Sequence, residues 1–146
     1  MRHHLILRVV TKLLVGTIFL FALYVQFHGD YSPGGGFQAG VIMAAGFIIY
    51  GLVFTLKKAK KVFPPWLVHK IIALGVLVYA GTGVYSLMTG YTFLDYAAID
   101  PHHPVHGQHL GILIVELGVG ITVTGVMVAI YYAFAARAPS LSDEDW

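Results

Sequence analysis

The chain has 146 residues, of which 58% are hydrophobic and 11% charged, with a formal net charge of +2 and a mean hydropathy of +0.77. A soluble domain carries roughly 25% charged residues, so this composition excludes a water-soluble globule and requires lipid as the surrounding solvent. The absence of cysteine excludes disulfides, iron–sulfur ligation and thiol catalysis.

The first apolar run covers residues 9–27. Arg2 and Arg8 precede it as they would in a signal peptide, but no well-placed small-x-small cleavage site follows and further spans come after. It reads as an uncleaved first helix.

The next connection, from His28 to Gly40, is the most distinctive stretch of the chain. Ser32 and Pro33 match an N-cap and a first helical position. Gly34, Gly35 and Gly36 then permit backbone shapes that other residues resist. Two forms fit the segment: a compact turn with a helix cap, or a partly unwound start to the second span. The unwound form would line a cavity with exposed amides and a positive dipole end. In that form Asp30 would draw cations to the mouth, and Gln38 would be a neutral ligand or an interhelical hydrogen bond. In the compact turn Asp30 bonds local amides.

The second span, 37–56, holds no charged residue, and its length covers about 30 Å, the thickness of the hydrocarbon layer. Gly36, Gly40, Ala44 and Gly51 share one face of it. Lys57, Lys58, Lys60 and Lys61 follow, and Pro64 and Pro65 end any continuing helix. The third span is 67–88 and the fourth 110–134. Gly111, Gly118 and Gly125 recur along the fourth at steps of seven. Small stripes let membrane helices approach closely. They serve either packing within this bundle or docking to another membrane subunit.

Spans in lipid must be helical, and four segments cannot close a barrel. The expected fold is therefore an all-α integral membrane bundle of four transmembrane helices. Residues 1–136 form a single membrane domain, and 137–146 a short acidic tail. Lys12, Lys57, Lys58, Lys60, Lys61 and Lys70, with the arginines, all fall on one side of the four spans, which the positive-inside rule makes cytoplasmic. Both termini then lie in the cytoplasm.

Glu116 is the acidic residue well inside a span, roughly 9 Å from the outer end of the fourth. His109, Gly120 and Thr124 share its face. Lys12 and Lys70 lie about 15 Å away in depth, so within this chain Glu116 is expected to be unpaired. It is then either a carboxyl handling protons or Na⁺, or a neutral carboxyl capping a packing site. The outer loop carries His102, His103, His106 and His109. Their spacing fits no standard metal site, and two prolines hold the segment irregular. His69 and His109 sit at opposite ends of their spans and cannot share a haem. No cofactor, resident metal, nucleophile–base pair or nucleic-acid motif is expected.

The motif Pro33-Gly34-Gly35-Gly36-Phe37-x-x-Gly40 resembles that of the MnhB-type subunits of the Mrp multisubunit sodium/proton antiporter. Glu116-Leu117-Gly118-Val119 is also similar to that family, and the resemblance covers residues 5–135 with the span count. It implies an accessory or structural subunit of a cell-membrane Na⁺/H⁺ antiporter, not an enzyme. Large partner subunits would carry the main proton channels, and this subunit alone would not transport. Candidates for an ion path are Glu116, Asp30, His28, Gln38 and His109. The alternative is a stand-alone metal-ion permease or sensor using the outer histidines.

Overall fold

The computed structural model describes residues 5–29 and 34–137. Asp30, Ser32, Pro33 and the acidic tail from residue 138 lie outside them. The elements are α1 (Leu5–Phe27), α2 (Gly36–Phe54), α3 (Leu56–Val62), α4 (Pro65–Met88), a 3-10 turn at Tyr96–Ala98, and α5 (Pro104–Ala135). No strand occurs among the described residues. α1, α2, α4 and α5, of 23, 19, 24 and 32 residues, are each long and apolar enough to cross a membrane. The expected all-α bundle of four membrane-spanning helices is the fold observed.

Proline sets two of the helix starts. Pro64 is extended, with φ −68° and ψ 148°, and Pro65 opens α4 at a position where its missing N–H costs nothing. Pro104 opens α5 in the same way. The histidine segment is therefore less irregular than its prolines imply. His106 and His109 sit on the first turns of α5, and only Pro101 stays in a turn.

A second departure from the sequence expectation is α3. The helix breaks at Thr55, whose φ of 92° and ψ of 148° are a rare conformation for a β-branched residue. The reason is the lysine run, which cannot continue through lipid on the axis of α2. The chain turns and lays Lys57, Lys58 and Lys61 outward while Ala59 and Phe63 are buried. The core cluster at this end joins Ala59 and Phe63 to Ala44, Val68, Val128 and Tyr132. The Tyr132 hydroxyl donates to the Phe63 carbonyl at 2.8 Å.

α2 packs between α1 and α5, and α5 between α2 and α4; α1 meets α5 only sparingly. Cations gather where α1 and α4 begin and where α2 and α5 end. Arg8 and Lys12 lie over the Phe54 ring at 5.3 and 5.9 Å, Lys60 over Tyr132 at 5.6 Å, and Lys70 over Trp66 at 5.0 Å. Asp95 and Asp100 belong to the opposite end, between α4 and α5. Large apolar side chains such as Leu13, Leu20 and Phe134 point outward, as they should where lipid is the solvent.

Helices in lipid gain little from hiding apolar surface, so close main-chain approach has to hold them. α4 and α5 do this through Gly75 and Gly118. A Cβ on Gly75 would stand 2.6 Å from the Gly118 carbonyl oxygen, and one on Gly118 would stand 2.9 Å from that of Gly75. Further along, Gly125 lies against Ile72 and Gly111 against the Tyr96 ring. Gly75→Ala is expected to cost about 1–3 kcal/mol through this main-chain clash and to lower the thermal midpoint in detergent. A Cβ on Gly81 would meet nothing within 4 Å. Gly81→Ala should therefore leave the midpoint unchanged or raise it, Ala being up to about 1 kcal/mol the better helix former.

Candidate functional site

The other small face of α5 carries Glu116, Gly120 and Thr124, and it lies on the start of α2. A Cβ on Gly36 would run into the main-chain oxygen of Glu116. A Cβ on Gly40 would stand 2.7 Å from the Gly120 oxygen, and one on Gly120 would stand 3.1 Å from the Gly36 oxygen. The Thr124 hydroxyl is shared between the Gly40 carbonyl at 3.2 Å and the Gly120 carbonyl at 2.7 Å. Ala44, next along this face of α2, is fully buried, and Gly51 lies against Tyr131. The two backbones touch because no side chain stands between them.

This approach decides where the Glu116 carboxylate goes. Its oxygens stand 2.7 and 3.0 Å from a Cβ placed on Gly29, and one stands 2.9 Å from a Cβ placed on Gly35. Gly35 has φ +117° and joins the end of α1 to α2 through an N–H donated to the Val25 carbonyl at 3.4 Å. The half-buried carboxyl group thus lies between Gly29 and Gly35, at the N-terminal end of α2. Helical N–H groups lack intrahelical partners there, and the helix dipole is positive. The expectation of an unpaired Glu116 is corrected: the residue is not without a partner. Comparing its depth with Lys12 and Lys70 alone leaves out the end of a neighbouring helix.

The remaining candidates divide. The His28 ring is half-buried and stacks on Tyr24 at 4.1 Å, next to Gly29 in the chain. Gln38 is exposed, but its Oε1 stands 3.6 Å from a Cβ placed on Gly35, which brings it to the same glycine turn. Phe37 is 62% exposed and points away. Gly34 lies against the Val25 carbonyl. His109 is exposed near the start of α5, two turns before Glu116.

Gln26 is part of this site, although the sequence alone does not single it out. It is 6% exposed, its Oε1 lies against Gly120, and its Nε2 is buried with no hydrogen-bond partner among the described residues. It ends an apolar cleft of about 280 Å³ whose lining includes Ala22, Gly40, Phe63, Gly120 and Thr124. The available signal is its spacing: Gln26 is one turn beyond Ala22, which is fully buried.

The histidines between α4 and α5 do something else. Asp100 accepts the His103 N–H at 3.1 Å, and its carboxylate lies 3.3 Å from His106 Nδ1. Desolvation works to raise the Asp100 pKa, but the His103 amide and the His106 ring outweigh it and hold the carboxyl below its ordinary 3.8. Among the described residues no group of three or more His, Cys, Asp or Glu is arranged to hold a metal ion.

Residues 6–129 match the family described as a domain related to the MnhB subunit of Na⁺/H⁺ antiporters. The chain is 34% identical over 132 residues to a Staphylococcus haemolyticus protein designated antiporter subunit mnhB2, covering 89% of this chain and 93% of that protein. The Staphylococcus aureus proteins of the same designation from strains Newman and USA300 are 34% identical over 127 residues, covering 86% of this chain and 89% of theirs.

A lowered folded pKa means that the stabilisation from Asp100 is present above the ordinary carboxylate value and lost as pH falls through the lowered one. Hydrogen exchange across residues 96–106 should therefore accelerate in that acidic window. Asp100→Asn should show a severalfold acceleration already at neutral pH.

Proposed function

We propose, from the premise that this chain belongs to the MnhB family of Na⁺/H⁺ antiporter subunits, that the α2–α5 crossing forms part of an ion path. Family membership makes the chain a subunit of a multisubunit Na⁺/H⁺ antiporter, a transporter component that works with other subunits of its complex. The metal-permease alternative finds no support in the family or in the arrangement of the outer histidines.

The observation that carries the proposal is the Glu116 carboxylate seated in the glycine turn at the start of α2. An ionisable group at membrane depth is expensive to bury and is a candidate for charge transfer by default. Here it meets a helix N-terminus, which stabilises negative charge without holding a fixed cation. Such a carboxylate can bind and release H⁺ or Na⁺ with little rearrangement of its surroundings. His28 and Gln38 flank the turn, Asp30 is its nearest acidic neighbour in sequence, and His109 precedes Glu116 toward the α5 start. These would pass ions between the aqueous side and Glu116. Gly34, Gly35, Gly36 and Gly40, following Ser32 and Pro33, would keep the turn narrow.

In this reading the complex lies in the plasma membrane and exchanges Na⁺ for H⁺. The cation-rich end, anchored by Lys12, Lys57, Lys58, Lys60, Lys61 and Lys70, faces the cytoplasm with both termini. Residues 1–136 act as one membrane domain and 137–146 as a cytoplasmic tail. The seams through Gly111, Gly118 and Gly125 and through Ala44 and Gly51 hold the bundle in register.

Glu116→Gln keeps the shape of the side chain and removes its charge. In vesicles carrying a fully assembled complex, it should reduce Na⁺-driven proton exchange at least about tenfold, the equivalent of about 1.4 kcal/mol. Normal exchange with normal assembly would reduce Glu116 to a packing residue.

A further inference from the structure

The break at Thr55 has a second result, at the opposite end of the bundle from Glu116. By turning the chain out of α2, it sets Lys58 across from Arg8, and the two line a cleft of about 250 Å³ with Val53 and Phe54. Lys12 joins Arg8 over the Phe54 ring. Arg8 and Lys12 thus share one aromatic ring, and Lys58 lines the cleft beside it. Arg8 is half-buried, and among the described residues none of the three has a carboxylate partner. The described acidic residues are Asp95 and Asp100, at the other end, and Glu116, in the α2–α5 crossing.

Bringing like charges together over an apolar wall is unfavourable unless an anion lies between them. We infer that this cleft is a binding site for the phosphodiester headgroup of an anionic phospholipid. Its place fits that occupant. It opens where α1 begins and α2 ends, the level of the headgroups for helices of this length. At about 30 Å³ per water, the cleft has room for a phosphate and several waters. The guanidinium supplies a planar fork for two phosphate oxygens, and Lys58 a mobile point charge from the other side. Within one turn of Arg8 on α1, Leu5 and Val9 are 73% and 52% exposed and offer apolar surface for the acyl chains. Phosphatidylglycerol carries the required net negative charge; phosphatidylcholine has the same phosphate but no net charge.

The test uses the assembled complex in its native membrane, with photoactivatable phosphatidylglycerol and phosphatidylcholine probes and the labelled subunit read by mass. The phosphatidylglycerol probe should label this chain within residues 5–9 and 53–58, well above the phosphatidylcholine probe. Lys58→Gln, at an exposed position, should lower that label about fivefold, the factor expected for one cation at a membrane surface. Arg8→Gln with Lys58→Gln should lower it to the phosphatidylcholine level. Equal labelling by the two probes, or label unchanged in Lys58→Gln, would overturn the assignment. So would displacement of the label by millimolar inorganic phosphate, which would make the site one for a free anion. Label that appears only after removal of residues 138–146 would assign the cleft to the chain's own Asp143, Glu144 and Asp145 and equally overturn it.

Discussion

The structure depends on two helix backbones, α2 and α5, being allowed to touch. Gly36 and Gly40 on one side and Gly120 on the other leave carbonyl oxygens where side chains would otherwise stand. Lipid gives apolar side chains no reason to leave it, so the helices are held by van der Waals contact and a few polar bonds. The Thr124 hydroxyl, reaching from α5 to the Gly40 carbonyl, is one of these bonds. α5 repeats the device on its other face, where Gly118 meets Gly75. One helix with two small stripes thus binds neighbours on both sides, and α1 is attached chiefly through α2.

Function follows from the same contact. Were α2 held away by a single methyl group at Gly36, the Glu116 carboxyl group would lose its seat between Gly29 and Gly35. An acidic group at membrane depth is costly, and the positive end of a helix lowers that cost without a fixed counter-ion. The glycines that pack the helices also make room for the charge. At the other end of the bundle Thr55 accepts an unfavourable backbone conformation; with it the lysines of α3 leave the lipid and Lys58 faces Arg8.

Much of this is legible in the residues. The four spans can be read because lipid leaves only long apolar helices as an answer, and the glycine motif with Glu116 points to the family matched over residues 6–129. The step-of-seven stripe at Gly111, Gly118 and Gly125 and the separate face of Glu116, Gly120 and Thr124 can also be told apart by helical period. What cannot be read is which helix each face will meet. Gly75 carries no periodic signal on the third span, and Gln26 looks like an ordinary end-of-span polar residue until α5 is set beside it. Glu116 looks unpaired because single-chain arithmetic compares depths of side chains and overlooks helix ends. The lysine run marks a boundary but gives no sign that it will coil into α3.

The most direct test of the α2–α5 contact is an engineered disulfide. Cβ atoms at Gly40 and Val123 would lie 2.8 Å apart. That is closer than the usual disulfide spacing of about 3.5–4.5 Å, so a slight separation of the two helices suffices for the bond. The chain has no cysteine of its own to compete. In the assembled complex, Gly40→Cys with Val123→Cys should close an intrachain bond under mild oxidation, seen as a faster-migrating subunit that reverts on reduction. Failure of that pair to close in a complex that still assembles would contradict the backbone contact on which the site at Glu116 rests.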